Sequence, residues 1–493
     1  MFLEDKDLVS IQEVRNLVRR ASIAQKQLAD MSQEQIDTIV KVVAKACYDE
    51  RERLAKMAVE ETGFGRWEDK VLKNAIASKG ILEEIKDMRT VGILSEDPIK
   101  KITEIAVPVG VVAGLIPSTN PTSTVMYKAL IALKAGNSIV FSPHPNALKC
   151  IIATVEVIKK AAEKAGCPED SVSVITRPSI PATNELMRHP STNLILATGG
   201  TAMVKAAYSS GTPAIGVGPG NGPAFIERTA DIAKAVRYIL ESKTFDNGVI
   251  CASEQSIIVE EEMKEKVVAE FKKQGAYFVP DEDATKLGKF IIQPNGAMNP
   301  KMVGKTAEVI AELAGISVPK GTRVLIAKET GVGKDHPYSM EKLAPVLGFY
   351  TVKGWEEACK LSMKILHHEG AGHTMVIHTQ DEAVIREFAL KKPVSRLLIN
   401  TPAAQGGVGA TTGLFPAYTL GCGAVGGSAT SDNVSPMNLL NVRRVAYGTT
   451  EFCDLKKVEG QGCVKPEEEL GLSGLDEEQL LNLLVQRVLD KIK

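Results

Sequence analysis

Eight cysteines, at positions 47, 150, 167, 251, 359, 422, 453 and 463, are scattered through the chain. None has Cys-x-x-Cys spacing, so each is judged by its surroundings. A free cysteine is usually a small buried hydrophobe, but as a thiolate it is a strong nucleophile. Cys251 stands in Thr244-Phe245-Asp246-Asn247-Gly248-Val249-Ile250-Cys251-Ala252-Ser253-Glu254-Gln255, shortly after a glycine. Other stretches carry groups suited to carbonyl and anion chemistry. Pro117-Ser118-Thr119-Asn120-Pro121 directly follows a β-branched run; its amide could hold negative charge on a former carbonyl oxygen, although Asn-Pro alone is an ordinary turn. Thr198-Gly199-Gly200-Thr201 closes a strand-like run and opens a helix-like one. Glycines there let backbone N–H groups approach a pyrophosphate at a helix N-terminus. Gly216-Val217-Gly218-Pro219-Gly220-Asn221-Gly222-Pro223 looks similar, but Pro219 and the broken G-x-G-x-x-G register argue against a phosphate loop. His367 and His368, beside Glu369, lack metal-ligand spacing and read as surface, and no metal is expected.

These groups need elements to position them. At 493 residues the chain exceeds one simple core, and two or more lobes are expected. Hydrophobic content of 44% with 24% charged residues is ordinary for a globular protein. A formal charge of -1 gives no electrostatic footprint for nucleic acid or an anionic membrane. The opening Met1-Phe2-Leu3-Glu4-Asp5 lacks a signal-peptide pattern, and no apolar run approaches the length of a membrane span. Cysteines without a disulfide-like framework fit a reducing compartment, so a cytoplasmic protein is expected.

Apolar positions recur at helical spacing through residues 9–23, 36–58 and 71–85. From 102 onward strands and helices alternate, with strands at 102–116, 138–141, 171–176 and 194–197 and helices at 147–165 and 182–188. A second alternating block runs from about 230 to 427, with candidate strands at 255–259, 322–327, 346–350, 374–377 and 396–398. The pattern predicts an α/β fold of doubly wound, mostly parallel sheets, with ligands at strand carboxyl ends. Residues 451–474 read as a polar linker. After it, Leu480, Leu481, Leu484, Val485, Val488, Leu489 and Ile492 share one half of an amphipathic helix. Asp476 with Gln479 forms its capping box, and Leu475 against Leu480 its hydrophobic staple.

The Cys251 loop, the Asn120 turn and the glycine turn at 198–201, in this order, resemble the aldehyde dehydrogenase superfamily over nearly the whole chain. The resemblance is strongest for CoA-acylating acetaldehyde and propionaldehyde dehydrogenases of ethanolamine and propanediol breakdown. It implies two doubly wound parallel-sheet lobes with a β-hairpin oligomerisation arm. It makes Cys251 the nucleophile, with the Asn120 amide and the Cys251 backbone N–H holding the oxyanion. It places NAD against Ser118, Thr119, Ser142, Pro143, His144, Thr198, Gly199, Gly200, Thr201 and Gly218. Glu341, in Glu341-Lys342-Leu343-Ala344-Pro345, would bind the nicotinamide ribose. Ser142-Pro143-His144-Pro145 replaces the family's Lys-Pro-x-Glu and leaves NAD versus NADP open.

Hydrolytic relatives carry a Glu-Leu-Gly-Gly-Lys loop whose Glu activates water. Aligned by Gly220 and Pro223, Val217 stands there instead, so the thioester should wait for a thiol, with coenzyme A as co-substrate. Gly370-Ala371-Gly372-His373-Thr374, Asn400-Thr401-Pro402 and Thr419-Leu420-Gly421-Cys422-Gly423 look like signatures of the acylating branch. Cys422 is expected near the active site, and His373 reads as structural rather than as a base for the thiol.

The implied domains are an NAD(P)-binding domain at 1–229, with 94–105 in the oligomerisation arm, and a catalytic domain at 230–427. An oligomerisation strand region at 428–450 (strand 440–446), the linker at 451–474 and a targeting or docking helix at 475–493 follow. Expected partners are a small aldehyde, CoA, further copies in a homodimer or homotetramer, and shell or core proteins of a bacterial microcompartment, in whose lumen the chain would reside. The alternatives are a hydrolytic aldehyde dehydrogenase and a non-catalytic microcompartment scaffold.

Overall fold

Asp5 opens the first helix, α1 (Lys6–Ala29), its carboxylate accepting from the Asp7 and Leu8 backbone N–H groups. Ser32 and Gln35 form a capping box on α2 (Gln33–Asp49). The helix expected over 36–58 is two, divided at Glu50, where α3 (Arg51–Thr62) begins. α3 stops at Gly63, which takes the left-handed conformation (φ 67°) that ends helices without a Cβ penalty. α4 (Trp67–Ala75) continues through one π turn into α5 (Ile81–Ile85). The computed structural model describes residues 5–293, 296–458 and 474–492.

Strands β1 (Gly92–Asp97) and β2 (Ile102–Pro108) follow. Then β3 (Val111–Ile116), β4 (Ser138–Pro143), β5 (Val172–Val174), β6 (Leu194–Thr198) and β7 (Ala214–Val217) form a parallel sheet in the order β5-β4-β3-β6-β7. The chain starts in the middle, builds one side, then crosses to the other. That reversal opens a crevice beyond the carboxyl ends of β3 and β6. Helix α6 (Pro121–Lys134) starts there, with proline at its first position. It is buried along its whole length. Its fully buried Leu130 and Ile131 each contribute roughly 1.5–3 kcal/mol by leaving water. Buried Lys128 turns inward and donates to the Leu115 and Leu196 carbonyls, 2.8 Å each, tying together the two strands that border the crevice. Helices α7 (Leu148–Lys164), α8 (Ile180–Arg188) and α9 (Thr201–Tyr208) complete the crossovers.

The second sheet begins with β8 (Gly222–Ile226), so the change of sheet falls between Val217 and Gly222, ahead of the expected boundary at 229. Sequence disguised this strand because Gly222 and Pro223 read as turn residues. Gly222 is required by packing: a Cβ there would lie 2.6 Å from the Thr374 carbonyl oxygen. After α10 (Ile232–Thr244) come β9 (Glu254–Glu260), β10 (Ala276–Phe278), β11 (Val324–Lys328), β12 (Val346–Val352), β13 (Gly372–His378) and β14 (Val394–Ile399). All pair in parallel, in the order β10-β11-β12-β9-β8-β13-β14.

Residues 93–106 and those from 442 onward make a separate unit. In it β1, β2 and β15 (Leu440–Ala446) form a three-stranded sheet in that order, with Arg444 paired to Glu104 at 3.0 Å. The stretch read as a linker begins with a helix, Phe452–Val458, and residues 459–473 of it lie outside the described residues. Cys453 is disulfide-bonded, contrary to the expectation that every cysteine is free, whereas Cys251 and five others are free thiols. The last helix runs over Glu477–Ile492. Its capping box is present: the Asp476 N–H donates to Gln479 Oε1 (3.2 Å) and the Gln479 N–H to Asp476 Oδ1 (2.9 Å). Leu481, Leu484, Val485, Val488, Leu489 and Ile492 are all exposed. No helix among the described residues is long and apolar enough to cross a membrane.

Candidate active site

The chain leaves α10 through three successive left-handed residues, Asp246 (φ 51°), Asn247 (φ 53°) and Gly248 (φ 77°). Glycine adopts this conformation freely and Asp and Asn more readily than other residues, and here both of the latter are also held by hydrogen bonds. Asp246 Oδ1 accepts the Arg66 N–H at 2.8 Å, and the Asp246 N–H reaches Asp69 Oδ2 at 2.8 Å. Asn247 donates to the Gly304 carbonyl at 2.9 Å. Gly248 lies against the Ala344 backbone, where a Cβ would come within 2.9 Å. The turn delivers Cys251 just ahead of β9.

Cys251 is half-buried. Burial, then the carboxyl of Glu341 and the thiol of Cys422, push its pKa up to about 12, with Arg396 and its own backbone N–H pulling the other way. The resting group is therefore a neutral thiol. Cys422 is buried and neighbours it, as expected. Gly220 packs its Cα face on the Cys251 carbonyl, so closely that a Cβ would overlap it. The Gly220 N–H donates to Glu341 Oε1 at 2.9 Å. Burial and the neighbouring Glu369 raise the Glu341 pKa to about 8, so at neutral pH this carboxyl keeps its proton.

Asn120 is the residue before α6. Its Oδ1 accepts from Lys73 Nζ at 2.7 Å. A cavity of about 550 Å³ is lined by Asn120, Cys251, Glu341 and the aliphatic side chain of Val217. The same cavity runs past Ser118 and Thr119 at the end of β3, Ser142 and Pro143 at the end of β4, and Thr198 at the end of β6. His144, Gly199, Gly200 and Gly218 also border it. The one predicted cofactor residue that does not is Thr201. As the first residue of α9 it faces solvent, because a helix starting there carries residue 201 around to its outer side.

The residues present fit a dinucleotide. Nothing lies within 4 Å of where a Cβ would sit on Gly200 or Gly218, and Gly199 meets only Met203 at 3.6 Å. The backbone is thus bare along one wall, at the N-terminus of α9, where an anion is favoured. Ser142 and Thr183 hydroxyls lie 2.9 Å apart beside it.

Sequence reasoning missed Lys70 and Lys73 on α4, both buried, and their partner Asp246. The available signal was two lysines one helical turn apart beside apolar positions. His373 is fully buried in β13 and outside the cavity lining, with Nδ1 3.0 Å from Thr374 Oγ1. Burial, then Arg396, lowers its pKa to about 3, so the ring is neutral. His367 is exposed near the end of its helix, its Nδ1 2.8 Å from the Met363 carbonyl.

Residues 7–413 match the aldehyde dehydrogenase family. The chain is 46% identical over 444 residues to the bifunctional aldehyde-alcohol dehydrogenase AdhE of Escherichia coli K12, covering 89% of this chain but only 50% of that protein. Its fold superposes with a TM-score of 0.91 on a probable aldehyde dehydrogenase from Listeria monocytogenes, 67% identical, over 92% of this chain and 100% of that one. An acetylating aldehyde dehydrogenase from Geobacillus thermoglucosidasius gives 0.90 at 55% identity, over 91% and 99%. More distant, at 29% identity and TM-scores of 0.79 and 0.78, are two propionaldehyde dehydrogenases. One, over 88% and 97% of the chains, is from a Clostridium phytofermentans fucose-utilisation microcompartment. The other, over 88% and 97%, is from Rhodopseudomonas palustris with bound CoA and an acylated cysteine. With the cysteine, the amide and the bare glycine wall gathered around one cavity, this chain belongs to the aldehyde dehydrogenase family.

Proposed function

We propose that the chain is a CoA-acylating aldehyde dehydrogenase that reversibly converts a short-chain aldehyde, acetaldehyde or propionaldehyde, to its acyl-CoA. One observation carries the reading: Cys251 and Asn120 share a cavity in which Val217 stands where hydrolytic relatives carry the glutamate that activates water. Val217 is aliphatic, and the Glu341 carboxyl is protonated and already bonded to Gly220. The hydrolytic alternative requires a carboxylate there. The acetylating relative at 55% identity supports the same branch.

Cys251, once deprotonated, attacks the aldehyde carbon and forms a thiohemiacetal. The Asn120 amide and the Cys251 backbone N–H stabilise the charge on the former aldehyde oxygen. NAD, when bound, supplies the hydride acceptor. Gly199, Gly200, Gly218, Ser142 and Thr198 would hold it, with Glu341 beside the nicotinamide ribose. The acyl group is left on Cys251 as a thioester, and with water unassisted it passes to the thiol of coenzyme A.

The exposed apolar stripe of the Glu477–Ile492 helix supports docking on microcompartment shell or core proteins, and β1, β2 and β15 suit pairing between subunits of a homodimer or homotetramer. A microcompartment relative fits this placement. The decisive experiment follows NADH formation from propionaldehyde and NAD with and without CoA, and identifies the acyl product. Strict CoA dependence with propionyl-CoA is expected; CoA-independent release of propionate would overturn the acylating reading.

A further inference from the structure

A buried ammonium group stands behind the two residues assigned to the chemistry. Lys73, in the last turn of α4, is 1% exposed, yet its neighbours in the sequence read as an ordinary charged helix face. Burying an ammonium is costly unless all three of its N–H groups find acceptors. Here they do. Lys73 Nζ lies 2.7 Å from Asn120 Oδ1, 2.6 Å from Asp246 Oδ2 and 2.8 Å from the Val249 carbonyl oxygen. One acceptor belongs to the turn that carries the oxyanion amide, and the other two to the loop that delivers Cys251.

The supporting contacts repeat this division. Lys70 donates to Asp246 Oδ2 (2.8 Å) and to the Thr119 carbonyl (3.0 Å), the residue before Asn120. The Tyr418 hydroxyl donates to the Lys73 carbonyl at 3.0 Å. Gly65 leaves room for the Asp246 carboxylate, which a Cβ at that position would overlap. Two ammonium groups thus converge on one carboxylate and reach beyond it in two directions.

The chemistry of the contact fixes an orientation that side-chain shape alone does not, because the two ends of an amide are nearly isosteric. Burial lowers the Lys73 pKa to about 8 against the pull of Asp246, so at neutral pH it is mainly an ammonium, which can only donate, and the Asn120 end facing it is the oxygen. The NH2 end then faces away from α4, and it has no hydrogen-bond partner among the described residues. A cation on the carbonyl oxygen also draws electron density from the amide nitrogen, which strengthens its N–H groups as donors.

We propose that Lys73, clamped by Asp246, is a positioning residue for the oxyanion donor: it holds the Asn120 amide with its NH2 toward the aldehyde oxygen and in register with the Cys251 loop. The inference rests on the reading of Asn120 as that donor. Lys73 itself is not among the residues lining the cavity.

A double-mutant cycle tests it. Asn120→Ala, Lys73→Met and the combined variant are compared for kcat in the NAD- and CoA-dependent oxidation, and for KM of NAD and CoA. Removing one oxyanion donor costs about 10²–10³-fold in kcat. Asn120→Ala is expected in that range, Lys73→Met to lose a similar factor with both KM values within about threefold, and the double variant to be no slower than Asn120→Ala. Losses that multiply in the double variant would overturn the inference while leaving the Asn120 assignment intact. An Asn120→Ala variant with undiminished kcat would overturn the assignment and this inference together. Lys73→Arg guards against a folding defect. Retaining the cation, it is expected to exceed Lys73→Met by at least about tenfold in kcat; equal loss in both would count against positioning by charge.

Discussion

The two sides of the cavity are built from different materials. On the side of Cys251 and Asn120, buried charges and crowded backbone hold the groups assigned to the chemistry: Lys70, Lys73 and Asp246 behind Asn120, and Gly220 and Gly248 pressed against main chain. On the cofactor side, Gly200 and Gly218 face open space, and small hydroxyls replace charge. Reacting groups must be held to fractions of an ångström, and buried hydrogen bonds to lysine achieve that. A diffusible dinucleotide needs room and unhindered N–H groups instead. Rigidity and vacancy are both structural devices here, and each uses glycine for the opposite purpose.

Four measurements would break or sharpen this contrast. The largest effect belongs to Cys251→Ala, which should abolish aldehyde oxidation and acyl-CoA reduction alike in steady-state assays; residual CoA-dependent turnover would remove the cysteine from the mechanism. Next is the resting thiol. With its pKa near 12, only about one Cys251 in 10⁴ is ionised at pH 8 before ligands bind. Iodoacetamide should therefore label it on the order of 10²–10³-fold more slowly than free cysteine at that pH. The sign follows from a raised pKa: the rate climbs about tenfold per pH unit from 7 to 10, where a free thiol levels off near 8.5. A plateau below pH 9 would show that a partner ionises the group.

Third comes Gly220→Ala, whose methyl would displace the Cys251 carbonyl. A misplacement of this kind costs about 10²-fold, so kcat should fall by that factor with little change in NAD affinity. Smallest is Gly200→Ala, where no neighbour lies within 4 Å. Stability should stay within about 0.5 kcal/mol by thermal unfolding, while the Kd for NAD rises several-fold by titration. Equal effects of the two alanines would erase the difference between the walls.

Much of this site could be read from local sequence. Cys251, Asn120, Gly199 and Gly200 lie in short motifs whose chemistry is carried by neighbours in the chain. The α/β alternation was legible for the same reason, since strand and helix periods are local properties. What escaped depends on distant partners. Lys73 looks like a solvated lysine until Asn120 and Asp246, far along the chain, are brought to it. Strand β8 was hidden because Gly222 answers to the Thr374 backbone rather than to strand propensity. Thr201 lies outside the cavity lining because of the phase of one helix, which a motif does not reveal. Asp476 with Gln479 lies at the other extreme: a capping box needs only residues three apart, and it formed as read.

The aliphatic wall at Val217 has a thermodynamic consequence. An acyl thioester that met activated water would decay downhill, and the oxidation would become irreversible. In the proposed acylating chemistry that exit is closed, and one thioester is exchanged for another of similar free energy. The enzyme then behaves as an equilibrator, and the ratios of reduced to oxidised cofactor and of acylated to free thiol decide which way carbon flows through it.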